Sequence, residues 1–401
     1  MKSNIFKSIV FAIVCSSAFL YAEPYMAART GLKCAVCHVN ISGGGKRTDF
    51  GVEYTYYKLN MNLIKPQRSQ YFGGRINKNI SVGANFRWLT GAKLPYEPSA
   101  MPADEILALQ EEFGNTVNID STTILYKETY KKEKEYIPLN DWKESDIYFQ
   151  FDMIPDRLMF YFDLETKASV TTRELFGMAK HDFLNSYVKV GKMLLPYGLR
   201  IINDEQPFIR NSVSQFTYDK RGIGYEIGIE PGPFSFIVNM TGTGNWSTVG
   251  TIVFRKWRIG GSLARSTPVY SGGMLGDDYV WGTFAGGNFG RFTLLGEFDV
   301  RTYDDPKIAD YAHFLEANFL VIDGLNLKVI NEFLARSTDL PVIGTEQGIP
   351  YGRNGKDRTI VGLEVFPIPF VKLSCLYVLN RDVPESPDNQ DQILFKFHGY
   401  F

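Results

Sequence analysis

From Ile80 to the last residue, segments of about ten residues alternate apolar side chains with small or polar ones, the period-2 pattern of a strand with two unlike faces. Ile223, Tyr225, Ile227 and Ile229 share one face, with Gly224, Glu226 and Gly228 on the other. Leu158, Phe160 and Phe162 oppose Met159, Tyr161 and Asp163 in the same way. Ten residues rising about 3.4 Å each, tilted about 45°, climb roughly 24 Å, the height of the apolar band on a membrane barrel.

Alternation alone does not say which face is wet, because a soluble sandwich alternates too. The turns separate the two. Tight reversals at Pro155-Asp156, Pro231-Gly232-Pro233, Arg255-Lys256, Gly286-Gly287, Asp323-Gly324 and Pro367-Ile368-Pro369 alternate with longer polar loops, as periplasmic turns alternate with external loops. The pattern predicts sixteen strands, near 80–89, 146–153, 157–166, 173–181, 186–195, 222–230, 233–240, 249–255, 258–265, 278–286, 290–300, 311–321, 325–334, 357–366, 369–379 and 391–401. The expected fold is all-β, a transmembrane antiparallel barrel with both chain ends on the periplasmic side. On the last strand Ile393, Phe395, Phe397 and Phe401 share a face, resembling the terminal strand by which outer-membrane proteins are recognised for insertion. Two longer connections, 90–145 and 196–221, are candidates for folding inward as constrictions. The first carries a short helix near Pro102–Leu109 and a charged run, Lys131–Glu135.

Residues 1–22 read as an export signal, with Lys2 and Lys7, an apolar core Ile9–Val14 and a small residue, Ala22, before the cut. Val14 stands before Cys15 where a lipoprotein signal carries a small residue. No other segment approaches the roughly 20 apolar residues a spanning helix needs, so any crossing is made by strands. The organisation is therefore 1–22 signal, 23–75 a short segment, and 76–401 barrel. Thirty Phe, 23 Tyr and 37 Gly suit a barrel with aromatic girdles. A net charge of −1 advertises no nucleic-acid partner.

The short segment holds the chemistry. In Cys34-Ala-Val-Cys37-His38 two thiols are spaced to bond the vinyl groups of a haem while the adjacent imidazole ligates its iron. A redox dithiol, half a zinc site, or chance are the alternatives. Zinc would want a second Cys/His pair, and the other cysteines are Cys15, inside the signal, and Cys375, more than three hundred residues away. One covalent haem c is the stronger reading, with His38 as fifth ligand. For the sixth ligand Met61 and His398 are the candidates named first, beside Met26 and an open site. Strand parity points His398 into the lumen with Lys396, and His313 outward with Leu315, Ala317 and Phe319, while His181 sits by a turn. Cys375 falls on the lipid face with Val371 and Leu373, as a small hydrophobe. The run Ser42–Arg47 reads as flexible and basic. A segment this small has little core of its own and is expected to lean on the haem and the barrel.

The stretch Ala28-Arg29-Thr30-Gly31-Leu32-Lys33-Cys34-Ala35-Val36-Cys37-His38-Val39-Asn40, with Phe50-Gly51 downstream and a porin-like remainder, resembles the fused monohaem cytochrome–porin proteins of outer membranes, whose best-known branch oxidises ferrous iron. Tyr187–Lys192 and Pro196-Tyr197-Gly198 look like a strand signature of phosphate-selective-type porins. The resemblance implies a haem inside or at the mouth of the barrel, outer-membrane lipid around it, an extracellular donor with Fe(II) as the candidate, and a periplasmic c-type cytochrome as acceptor. As an Fe(II) oxidase it would work by outer-sphere electron transfer, without a protein cage for the donor. Glu385, Asp388 and Asp391, in an external loop, would attract cations weakly. Two other readings stay open. One is a transport porin plugged by the haem segment, since sixteen strands enclose a water channel if nothing fills them. The other is a relay subunit of a larger multihaem conduit.

Overall fold

The computed structural model describes residues 24–41, 43–63, 72–95, 136–167, 169–201, 209, 221–242, 244–266, 278–303, 309–335, 355–383 and 390–401. The export signal, the 102–109 helix, the 131–135 run, Glu385 and Asp388 lie outside them. Sixteen antiparallel strands, β1 (Ile80–Lys93), β2 (Ile137–Ile154), β3 (Leu158–Glu165), β4 (Thr171–His181), β5 (Ser186–Leu194), β6 (Arg221–Ile229), β7 (Phe234–Thr241), β8 (Trp246–Phe254), β9 (Trp257–Ser266), β10 (Asp278–Phe289), β11 (Phe292–Tyr303), β12 (Ala309–Ile322), β13 (Leu325–Ala335), β14 (Gly355–Val365), β15 (Val371–Val383) and β16 (Gln392–Tyr400), pair in chain order, and β1 pairs with β16 to close the barrel. Closure matters because an open edge in lipid would leave a row of backbone groups without partners. Among the described residues no helix is long and apolar enough to cross a membrane.

Side-chain parity follows the pattern read from the chain. In β3 (Leu158–Glu165) Phe160 and Phe162 are exposed and Met159, Tyr161 and Asp163 buried. In β6 (Arg221–Ile229) Ile223, Tyr225 and Ile227 face out and Glu226 in. The inside is polar and charged, the outside apolar, which is the arrangement of a barrel in lipid. At the short-turn rim Trp257 stands edge-on to Phe289 and Phe292 lies beside Phe319, with ring centroids 4.8 and 4.6 Å apart. These form part of an aromatic girdle.

Among the boundaries that differ from those expected, two have a plain physical reason. The 90–145 connection is narrower than expected, because β1 runs on to Lys93 and β2 (Ile137–Ile154) starts early, pairing Gly91 with Leu139 and Lys93 with Ile137. Beyond the bilayer both faces of a hairpin are wet, so the apolar alternation that marks a strand fades while the pairing continues. The turn expected at Gly286-Gly287 lies inside β10 (Asp278–Phe289), and the chain reverses at Gly290, whose φ is +66°. Gly286 and Gly287 serve packing instead, since a Cβ on them would run into the side chains of Leu295 and Trp257.

The segment 24–63 lies inside the lumen as three short helices, α1 (Pro24–Thr30), α2 (Cys34–Cys37) and α3 (Asp49–Tyr57). It follows the inner wall against strand order. Tyr25 Oη donates to Glu364 of β14 and Arg29 Nη1 to Asn326 of β13, at 2.9 and 2.8 Å. Arg258 of β9 holds the Leu32 carbonyl at 3.1 Å, and Lys33 Nζ donates to the carbonyl of Phe234, at the start of β7, at 2.6 Å. Asn40 meets Glu174 of β4 at 3.2 Å and accepts from Lys189 of β5 at 3.2 Å, and the Lys46 amide reaches Tyr161 of β3 at 3.0 Å. The helix α3 then closes the short-turn end, where Tyr56 packs on Phe370 and the Met61 amide donates to Phe366.

The wall itself is laced by buried ion pairs. Arg173 Nη1 lies 2.6 Å from Glu144 and 2.8 Å from Asp146, and Arg87 also pairs with Glu144. Lys328 sits 2.9 Å from Glu364 and 3.3 Å from Glu316. Removing one member of such a set leaves its partners charged and out of water, at a typical cost of about 3–5 kcal/mol. Arg173→Leu is therefore expected to lower barrel stability by about that amount. Denaturant unfolding in detergent reads it, and an unchanged midpoint would mean that the network is solvated.

Candidate functional site

The C-x-x-C-H sequence opens onto a cavity within the lumen. Cys34, Cys37 and His38 line it together, with Met26, Ala27 and Thr30 of α1, Tyr197 to Arg200 of the inward-folded connection, and Ile237, Val249 and Phe284 of the barrel wall. Both thiols are free and partly buried, and one helical turn places them on the same face of α2.

The residues just downstream of the motif set its local geometry. His38 leaves α2 with extended backbone, φ −124° and ψ 143°, and its amide still donates to the Cys34 carbonyl at 2.9 Å. Gly43, Gly44 and Gly45 all have positive φ, 96°, 78° and 65°, a left-handed path that glycine takes without strain. The Val39 amide then closes the loop on Lys46 at 2.9 Å. The 43–47 stretch is thus a formed turn rather than the flexible run expected from its composition. Lys46 and Arg47 are buried, and burial lowers the Lys46 ammonium to about 8. Thr48 caps α3 by accepting from the Gly51 amide at 3.1 Å, and its hydroxyl donates to the Val36 carbonyl at 2.6 Å. A Cβ on Gly51 would strike the Cys37 carbonyl, so glycine after Phe50 is what lets α3 press against the motif.

His38 is 5% exposed and its Nδ1 makes no hydrogen bond to the described residues. Burial first, then the Arg47 guanidinium, outweigh the opposing backbone of Gly45 and Gly44 and hold its pKa at about 3. A neutral imidazole is the form that can ligate a metal. Burial also pushes the Cys37 thiol up. Arg47, Arg200 and Arg258 are among the residues that line the cavity, and guanidinium groups suit carboxylates such as haem propionates. A cavity with an apolar sector, two thiols on one face of a helix, a neutral imidazole and arginines in its lining fit a haem c.

Of the sequence-derived candidates for a sixth ligand, Met26 lines the cavity and Met61 and His398 do not. Met61 sits on the β12–β13 turn, where a Cβ on Gly324 would collide with it. His398 points inward as its parity requires and is buried, with its ring 5.9 Å from that of Tyr400, but it is not part of the cavity wall. Outside the lumen, His313 Nε2 meets Asn331 at 2.9 Å, and His181 Nδ1 accepts from the Phe183 amide at 3.0 Å. Cys375 is exposed on the lipid face. Among the described residues no group of three or more His, Cys, Asp or Glu side chains forms a metal site. Sequence reading missed Arg200 and the anchors Tyr25, Arg29 and Lys33. Only the Pro196-Tyr197-Gly198 signature hinted at the first, and it lies where the connection turns into the lumen, with Tyr197 Oη on Asp299 at 3.3 Å and the Leu199 amide on Glu297 at 2.8 Å.

No family model matches the sequence, and no curated protein is similar to it. Solved structures with the same fold include an anion-selective porin from Comamonas acidovorans, with a TM-score of 0.55 at 10% identity over 80% of this chain and 100% of that one. OmpF of Salmonella typhi gives 0.53 at 9% over 81% and 98%, and OmpT of Vibrio cholerae 0.51 at 9% over 82% and 99%. At such identities the likeness is one of fold, a porin-like barrel of sixteen strands.

Lys328 and Lys372 keep Glu364 paired when the Tyr25 hydroxyl is removed, so Tyr25→Phe tests the anchoring of α1 alone. A hydrogen bond to a charged group is worth about 1.5–3 kcal/mol. Protease cleavage within residues 24–57 is expected to begin at lower denaturant than in the parent, before the barrel unfolds. Simultaneous loss of segment and barrel would mean that they form one cooperative unit.

Proposed function

We propose that this chain is an electron-transfer protein of the outer membrane, with one haem c held in the lumen by thioethers to Cys34 and Cys37 and by His38 on its iron. The observation that carries this reading is that both thiols and a neutral imidazole belong to residues that line one lumen cavity. When bound, haem c supplies a one-electron couple. Extracellular Fe(II), the donor suggested by the family resemblance, loses one electron and becomes Fe(III), and a periplasmic c-type cytochrome is the acceptor. The chain's own residues bind and insulate: Arg47, Arg200 and Arg258 receive negative charge, Val249 and Phe284 exclude water, and α3 shuts the short-turn end. A hydrocarbon layer of roughly 30 Å has no redox groups of its own, so a centre inside the barrel shortens the transfer.

A transport role is the second reading, and the porin-like fold favours it. Against it stands the filled lumen, in which residues 24–63 occupy space that a porin leaves to water.

Mass spectrometry of the exported chain is expected to show one added macrocycle, lost in the Cys34→Ser/Cys37→Ser variant. Stopped-flow mixing of the oxidised protein with Fe(II) is expected to give the reduced haem spectrum, and no reduction would remove Fe(II) as donor. In a planar bilayer the parent is expected to stay closed. A steady open conductance would favour transport.

A further inference from the structure

Resting on the haem c reading, we infer that Met26 supplies the second axial ligand, from the side of the cavity opposite His38. Helix α1 has two faces. Tyr25 and Arg29, four residues apart and hence on one face, are tied to Glu364, Asn326 and, at 3.4 Å, Thr293. The Lys328 ammonium also lies 5.0 Å from the Tyr25 ring centroid. These anchors fix how the helix is rotated. The other face, Met26, Ala27 and Thr30, is turned to the cavity.

The route of the segment puts that face across from the motif. Its α1 anchors belong to β11, β13 and β14, whereas Asn40, two residues after His38, is held by β4 and β5. In a closed barrel of sixteen strands β12 and β4 are diametrically opposed. Between these two holds the cavity rests against β7 to β10, through Ile237, Val249, Thr251, Arg258 and Phe284. An imidazole enters the space from one flank and a thioether from the other.

Chemistry narrows the choice further. Of the described residues on the cavity wall, Met26 alone carries a thioether and His38 alone an imidazole. Met61 and His398, the other candidates from sequence, belong to the rim and to another part of the wall. A half-buried methionine beside the apolar cluster of Leu199, Phe284 and Leu295 has the flexibility to reach a metal. Met coordination raises the reduction potential relative to a second histidine.

The test uses the full-length protein in detergent, after mass spectrometry has shown the macrocycle attached. The oxidised parent is expected to show the weak red charge-transfer band of thioether sulfur on ferric haem, and its reduced form an upfield-shifted methionine methyl resonance. Met26→Leu conserves volume and is expected to lose both signals, Met61→Leu to keep both, and Met26→His to lower the midpoint potential. Signals that persist in Met26→Leu, or an oxidised parent that has haem but no thioether band, overturn the assignment of Met26 and leave the haem c reading standing. Absence of the macrocycle overturns both.

Discussion

A carboxylate or ammonium withdrawn from water needs a partner, and the interior of this barrel is organised around that need. Glu364 is shared by Tyr25, Lys328 and Lys372. Glu174 takes both Asn40 and the Leu194 amide, and Lys189 sits between Glu226 and Asn40. In each case a wall residue that would stand in water in an open pore is completed by the N-terminal segment or by a neighbouring strand. The segment and the wall satisfy each other's polar groups. A short stretch with three small helices keeps a defined path because its partners are spaced around the barrel.

That mutual satisfaction also shapes the empty space. The segment hugs the wall from β14 round to β3, and the inward turn at Tyr197–Arg200 comes in from the other end. Between them lies the cavity onto which the motif opens. Its apolar sector comes from β7, β8 and β10, and its charged border from arginines on three different elements. The porin-like architecture is thus kept, with an N-terminal segment laid along its inner wall.

The N-terminal segment also shows how glycine serves two purposes in neighbouring positions. Gly43 to Gly45 turn the chain through left-handed backbone so that His38 and Arg47 can pair as a bridge, whereas Gly51 removes a side chain where α3 touches Cys37. Both roles serve to hold the motif. Gly286 and Gly287 in β10 make the second kind of contact, which is why a glycine pair there resembled a turn in the sequence and proved to be a strand.

Strand number, order and inside–outside parity were legible in the sequence, because lipid on one face and lumen on the other impose a period of two on every spanning segment. The C-x-x-C-H motif was legible as a unit because its chemistry is local, three side chains within five residues. The surroundings were not. Arg200 approaches Cys34, and α1 faces His38, only once sixteen strands have closed and brought residues far apart in the chain to the same lumen. In the sequence Met61, after the motif, ranks ahead of Met26, before it. Closure of the barrel put Met26 on the cavity wall and Met61 on a turn at the rim, since which side chains meet across a lumen depends on which strands hold them.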